Sequence, residues 1–322
     1  MSAALGLPGA RPELVLLRDF PSGLMRSLGA EFELHRLWEA SDRDAAIRRI
    51  ATQVRGIVTG SLVGASAALM DALPAAKIVA CFGVGVDTID LEHARRRGVT
   101  VTNTPEVLNE DVADMGVALL LAAARMIPQA DRFVRAGRWP GELMPFTHRV
   151  HGASAGIVGL GRIGAAVARR LEAFDMSICY HGPRDQRHAR YRYYADLAAM
   201  AAQCRFLVLC CPGGEATRGL VNRDVLAALG PEGTLVNIAR GSVVDESALE
   251  QALQTRAIRA AALDVYANEP YVPAALRALD NVVLQPHSTS ITHETRAAMI
   301  SRLSRDLDAF LAGKSFHDAA RE

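Results

Sequence analysis

The 322-residue sequence predicts an α/β protein built from two doubly wound parallel-sheet domains. Three observations carry that prediction. Short apolar runs recur along the chain without apolar–polar alternation, stretches of helical periodicity separate them, and a glycine loop joins one run to the helix after it.

The runs are residues 14–17, 56–58, 77–81, 155–158, 177–180, 206–210, 234–238, 261–265 and 282–284. Val, Ile and Leu dominate them, as they do in strands buried on both faces of a parallel sheet. Residues 165–174 and 246–253 space their apolar side chains as a helix does, and 110–125 reads as one long helix. Residues 128–152 carry Gly137, Pro140, Gly141, Pro145 and Gly152 and read as irregular. A new strand–loop–helix unit starts at Ala155, so the residues alone place a domain break near Gly152.

Half of the residues are hydrophobic and 22% are charged, which suits a globular core. The formal net charge is +1, with no Lys/Arg block to recruit nucleic acid or an anionic membrane. Residues 1–12 lack a basic segment leading into an apolar one, so no signal peptide is read. The longest apolar run, 115–124, is far short of the ~20 residues that span a bilayer. Cys81, Cys179, Cys204, Cys210 and Cys211 are odd in number and show no C-x-x-C spacing. They read as free thiols of a reducing cytoplasm, with no disulfide and no metal site.

Gly159, Gly161 and Gly164 stand in G-x-G-x-x-G spacing between an apolar strand and a helix, the context a dinucleotide fingerprint requires. Gly159 permits the tight turn, Gly161 lets the backbone approach a pyrophosphate, and Gly164 lets the helix pack close to its strand. The pyrophosphate then meets the N–H groups at the helix N-terminus. An NAD-preferring site places Asp or Glu at the end of the second strand. Here Tyr180 is followed by His181, Gly182, Pro183 and Arg184; Asp185 is the first carboxylate, and Arg187 follows. Two arginines suit a 2′-phosphate, so NADPH is the expected cofactor, with NAD possible.

Three ionisable residues follow later strands: Arg240, Glu269 and His287. Open parallel sheets bind ligands beyond the carboxyl ends of their strands, so the three are expected to share one crevice. Reduction of a 2-keto acid needs a cation for the carboxylate, a proton donor for the carbonyl oxygen, and a group that orients the donor. Arginine matches a carboxylate with its planar fork. Histidine exchanges protons near neutral pH, and a neighbouring carboxylate orients it and favours its charged form. Taken singly, each has an ordinary alternative as a surface salt bridge, a turn or a structural histidine; their order after a nucleotide loop is what points to catalysis.

With these residues in place, the chain resembles the D-2-hydroxyacid dehydrogenase family. The matching stretches are Gly83-Val-Gly-Val-Asp87, Thr102-Asn-Thr-Pro105, Glu110-Asp-Val-Ala-Asp114 and Gly159-Leu-Gly-Arg-Ile-Gly164. They continue with Cys211-Pro-Gly-Gly-Glu-Ala-Thr217, Asn237-Ile-Ala-Arg-Gly241, Asp264-Val-Tyr-Ala-Asn-Glu-Pro270 and Gln285-Pro-His287. Residues 193–235 and the second-strand tail look most similar to the branch of hydroxyphenylpyruvate and glyoxylate/hydroxypyruvate reductases.

The resemblance implies a flavodoxin-like substrate domain of residues 1–100 and 289–322, with a Rossmann NAD(P) domain of residues 101–288 inserted into it. It implies His287 as acid/base, Glu269 as its partner, and Arg240 with the backbone N–H groups of Val84 and Gly85 on the substrate carboxylate. Cofactor contacts are implied at Val112, Gly159, Gly161, Arg162, Ile163, Gly164, Gly182, Arg184, Cys211, Pro212, Thr217, Ile238 and Ala239, with Asp264 on the nicotinamide carboxamide. It also implies a homodimer, in which Arg138 and Trp139 belong to a crossing segment and Trp139 either shapes the partner's site or anchors the interface.

Two positions depart from the family pattern. Thr289 stands where the family has glycine, and its Cβ is expected to narrow the pocket or shift His287. Pro183 separates Gly182 from Arg184, where relatives carry an arginine directly after the glycine. The competing reading is a dinucleotide-sensing interaction protein on the same fold. A family member acting on formate or phosphite fits less well, because Glu269 and His287 suit carbonyl protonation.

Overall fold

The computed structural model describes residues 11–186 and 190–313. Arg187 and the N-terminal residues 1–10 lie outside the described residues. The chain forms two compact units, one of residues 11–107 with 292–313 and the other Leu108–Ile291.

In the first unit, β1 (Glu13–Leu16), β2 (Glu33–Arg36), β3 (Val54–Gly60), β4 (Ile78–Phe82) and β5 (Thr100–Thr102) are parallel, in the order β2-β1-β3-β4-β5. This is the flavodoxin-like order. Helices α1 (Ser22–Glu31), α2 (Arg43–Ile50), α3 (Ala67–Ala72) and α4 (Leu91–Arg97) connect the strands. The C-terminal helix, His293–Leu311, returns to pack on α1 and β4.

The second unit begins with α5 (Asn109–Ala124) and α6 (Ile127–Arg135). Then follow β6 (Ser154–Val158), α7 (Arg162–Glu172), β7 (Ser177–His181), β8 (Arg192–Tyr194) and α8 (Leu197–Ala201). The remainder comprises β9 (Phe206–Leu209), α9 (Arg223–Leu229), β10 (Thr234–Asn237), α10 (Glu246–Gln254), β11 (Ala260–Leu263), α11 (Ala274–Ala278) and β12 (Val282–Leu284). Its parallel sheet runs β12-β11-β10-β9-β6-β7-β8, a Rossmann order with one extra strand, whose switch point lies between β6 and β9.

Four features differ from the sequence expectation. No unit break occurs near Gly152, because α5 packs on α7 and against β10 and β11 and so belongs to the second unit. β5 pairs with β4, which carries the first unit past residue 100 to Val107. The stretch read as irregular opens with α6, where Pro128 sits in the first turn, a place where a missing N–H costs nothing. Three strands went unread (β2, β5 and β8), and each lies at a sheet edge.

All five cysteines are free; Cys81, Cys204 and Cys211 are buried, and Cys179 and Cys210 are partly so. Burial pushes the Cys211 thiol up to about 11. Among the described residues, no helix is long and apolar enough to cross a membrane.

Candidate active site

The glycine loop connects β6 to α7, and its three glycines have separable reasons to be glycine. Gly159 has φ = 90°, and a Cβ there would lie 2.7 Å from the Cys211 backbone. A Cβ at Gly164 would lie 2.1 Å from the Gly159 carbonyl oxygen, so helix and strand pack too closely for any side chain. At Gly161, the N-cap of α7, an added Cβ would meet no protein atom within 4 Å. Packing therefore does not demand glycine at this position, whereas backbone approach to a pyrophosphate does. The cradle fits a dinucleotide.

The other residues expected to contact the cofactor lie on elements around this loop. Arg162 and Ile163 open α7, exposed and half-buried respectively. Cys211 backs onto Gly159, and the loop to Thr217 is closed by its hydroxyl donating to Pro212 O at 2.8 Å. Ile238 and Ala239 are buried beyond β10. Val112 is buried one turn before Gly116 on α5, and a Cβ at Gly116 would lie 2.8 Å from Ile238 Cδ1. At the end of β7, Gly182 O accepts from Tyr193 Oη at 3.2 Å. The Asp185 carboxylate turns back to accept from the buried Tyr180 hydroxyl at 2.8 Å. Arg184 is exposed and forms no ion pair among the described residues.

Arg240, Glu269 and His287 all follow the carboxyl ends of adjacent strands, β10, β11 and β12. His287 Nδ1 lies 2.7 Å from Glu269 Oε2, while Glu269 Oε1 accepts from Tyr266 N at 3.1 Å. Burial by itself would raise the Glu269 carboxyl. The hydrogen bond and charge of His287, the Tyr266 N–H and the charge of Arg240 together outweigh it and hold the group below its ordinary range. Glu269 is therefore a carboxylate at neutral pH. Its contact occupies Nδ1 and leaves Nε2 of His287 to carry a proton outward.

His287 has φ = 51°, a left-handed conformation that costs a non-glycine residue about 1–2 kcal/mol. Asp264, buried at the end of β11, holds it there. His287 N donates to Asp264 O at 2.8 Å, and Ser288 N donates to Asp264 Oδ1 at 2.7 Å. Thr289 Oγ1 donates to Asp264 Oδ2 at 2.9 Å. The Thr289 hydroxyl ties the His287 turn to the sheet, a contact that a glycine could not make.

Sequence reasoning assigned no role to several neighbours. Asn237, fully buried, donates from Nδ2 to Arg240 O at 3.0 Å and accepts from Ala239 N at 3.0 Å, which shapes the turn that carries Arg240. Tyr266 Oη donates to Gln285 O at 2.9 Å, and burial pushes its hydroxyl up to about 12. A Cβ at Gly241 would lie 1.9 Å from the Tyr266 carbonyl, so only glycine fits beneath that ring's backbone. The available signal was an asparagine at a strand end, a residue otherwise depleted from strands.

In the first unit, Val84 and Gly85 follow β4 and are half-buried. Val84 O accepts from Asn103 Nδ2 at 2.8 Å, and among the described residues neither backbone N–H of the pair is hydrogen-bonded.

The model of the NAD binding domain of D-isomer specific 2-hydroxyacid dehydrogenases matches residues 117–289. The chain belongs to that family. It is 41% identical to the glyoxylate/hydroxypyruvate reductase A of Arabidopsis thaliana over 302 residues, 94% of this chain and 96% of the relative. It is 42% identical to the hydroxyphenylpyruvate reductase of Plectranthus scutellarioides, over 90% of this chain and 93% of that one. Among solved structures, the NADPH-dependent glyoxylate/hydroxypyruvate reductase of Sinorhizobium meliloti, in complex with NADP and malonate, superposes with a TM-score of 0.90. That pair is 41% identical, with 97% of each chain covered. Family membership makes the protein a nicotinamide-dependent oxidoreductase of 2-hydroxy and 2-keto acids.

Proposed function

We propose that this protein reduces a small 2-keto acid, such as glyoxylate, hydroxypyruvate or an aryl pyruvate, to the D-2-hydroxy acid. The observation that carries the reading is the 2.7 Å His287–Glu269 pair at the strand ends, beside the charge of Arg240. When bound, the nicotinamide supplies the hydride to the 2-carbon. Nε2 of His287 gives its proton to the carbonyl oxygen, so the ketone becomes an alcohol as the imidazole becomes neutral. Arg240 and the N–H groups of Val84 and Gly85 hold the carboxylate, and Asp264 keeps one of its roughly four acceptor positions for the carboxamide. The remaining glycine-loop, Cys211–Thr217 and Ile238–Ala239 contacts hold the cofactor as the sequence implied. The test is turnover of a 2-keto acid panel by the wild type and by His287→Ala; equal rates in the two would end the reading.

NADPH is the favoured cofactor, since Arg184 is available for a 2′-phosphate while Asp185 is bound to Tyr180. Comparison of kcat/KM for NADPH and NADH tests this, and a clear NADH preference would overturn it. The active form is a homodimer. Trp139, Leu143 and Phe146 are 69%, 90% and 100% exposed, three apolar side chains that a partner subunit would cover. Sedimentation of wild type and Trp139→Ala checks it, and a monomeric wild type would refute it. Free thiols suit a reducing cytoplasm as its location.

A further inference from the structure

Two arginines of the first unit are not used by the chemistry above. Arg18 follows β1, and Arg296 lies in the first turn of the C-terminal helix. The Arg296 guanidinium stands over the Phe82 ring, 5.5 Å from its centroid, and that of Arg18 over Phe20 at 5.8 Å. The two rings meet edge to face at 6.0 Å. A Cβ at Gly60, the last residue of β3, would lie 3.3 Å from Arg18 Cδ and 3.7 Å from its Nη1. Glycine there lets Arg18 lie across the end of β3. Both cations therefore sit at the carboxyl ends of β1, β3 and β4, the edge at which open parallel sheets bind ligands.

Neither arginine has a carboxylate partner among the described residues. Arg18 Nε donates to Asp19 O at 3.0 Å, and Arg296 Nη1 reaches Met299 Sδ at 3.9 Å. Holding a half-buried guanidinium without an anion is costly, and two like charges close together add to that cost. Burial first, and the Arg18 charge second, hold Arg296 below the ordinary arginine range. An anion between the two would relieve both effects. Phe82 precedes Val84 by two residues, at most about 7.6 Å from Cα to Cα, which is within reach of a five-carbon chain.

We propose that Arg18 and Arg296 form a second anion subsite, which takes the distal carboxylate of a 2-keto dicarboxylic acid. This rests on the reductase reading, in which the Val84 and Gly85 amides hold the first carboxylate. Planar guanidinium forks are the side chains best matched to a second one.

The experiment compares kcat/KM for 2-oxoglutarate with that for 2-oxopentanoate, the same chain with a methyl group in place of the distal carboxylate. The wild type prefers 2-oxoglutarate by about tenfold or more, the worth of one charge-assisted hydrogen bond. Arg296→Met and Arg18→Met each remove most of that preference, and Arg296→Lys, which keeps the charge and guards against a folding defect, retains part of it. A wild-type preference for 2-oxopentanoate, or a ratio unmoved in both methionine variants, overturns the subsite while leaving the reductase reading intact. If no 2-keto acid is turned over, the reductase reading falls by itself. Calorimetry with succinate then decides the subsite: saturable binding lost in the methionine variants supports it, and no binding overturns it.

Discussion

Replacing Glu269 by Gln separates the charge of the His287 partner from its shape. Gln retains an acceptor for the Tyr266 N–H, 3.1 Å from Oε1, and a polar atom near His287 Nδ1, 2.7 Å from Oε2. With the single amide oxygen accepting from Tyr266 N, the NH2 faces His287 Nδ1 and cannot accept its proton, so the contact to the charged imidazole is lost whole. Hydrogen bonds to charged groups contribute about 1.5–3 kcal/mol. The Glu269 side chain is 11% exposed, so solvent screens little of this. At about 1.36 kcal/mol per decade, the rate of keto acid reduction falls by about 10- to 150-fold. Single-turnover kinetics with saturating NADPH, followed across pH, measure the chemical step without product release. A fall of less than about twofold would refute the assignment of Glu269 as the partner that orients His287.

The same carboxyl makes a stability prediction. Its native value lies below the ordinary 4.5, so its contribution is full above that pH and disappears as pH falls through the lowered native value; Glu269→Gln therefore flattens the acid limb of a chemical-denaturation curve. In the glycine loop, Gly164→Ala forces a Cβ to within 2.1 Å of Gly159 O and lowers stability by about 1–3 kcal/mol or more by thermal unfolding. Gly161→Ala leaves stability within about 0.5 kcal/mol but weakens NADPH binding about tenfold or more in a fluorescence titration, and the opposite ranking of the two variants would sink the pyrophosphate reading. Thr289→Val removes the donor to Asp264 Oδ2, costing about 1.5–3 kcal/mol, and slows turnover as the His287 turn loosens. Thr289→Ser keeps both properties, and equal stability of the Val and Ser variants would show that the hydroxyl holds nothing.

What the sequence could reveal followed burial. Strands such as β4 and β9 are buried along their whole length, so both of their faces had to be apolar and the runs stood out. β2 (Glu-Leu-His-Arg) and β8 (Arg-Tyr-Tyr) are edge strands with one neighbour and partial exposure, and their polar side chains carry no such signature. The break placed near Gly152 failed for a related reason. A new strand–loop–helix unit looks like a new domain, but the long helix before it is held by α7, β10 and β11, contacts that lie far along the chain and leave no local mark. The placement of Arg240, Glu269 and His287 at adjacent strand ends was legible because strand ends are recognisable. The bond made by Thr289 was not legible, for the opposite reason. Judged against a glycine, its Cβ looks like bulk, and the hydroxyl matters only because Asp264 lies 25 residues earlier on the neighbouring strand with an oxygen 2.9 Å away. Since His287 holds a left-handed backbone conformation, the residue two positions on controls how firmly its ring is held. A hydroxyl bonded to buried Asp264 turns a departure from the family pattern into a brace for the histidine.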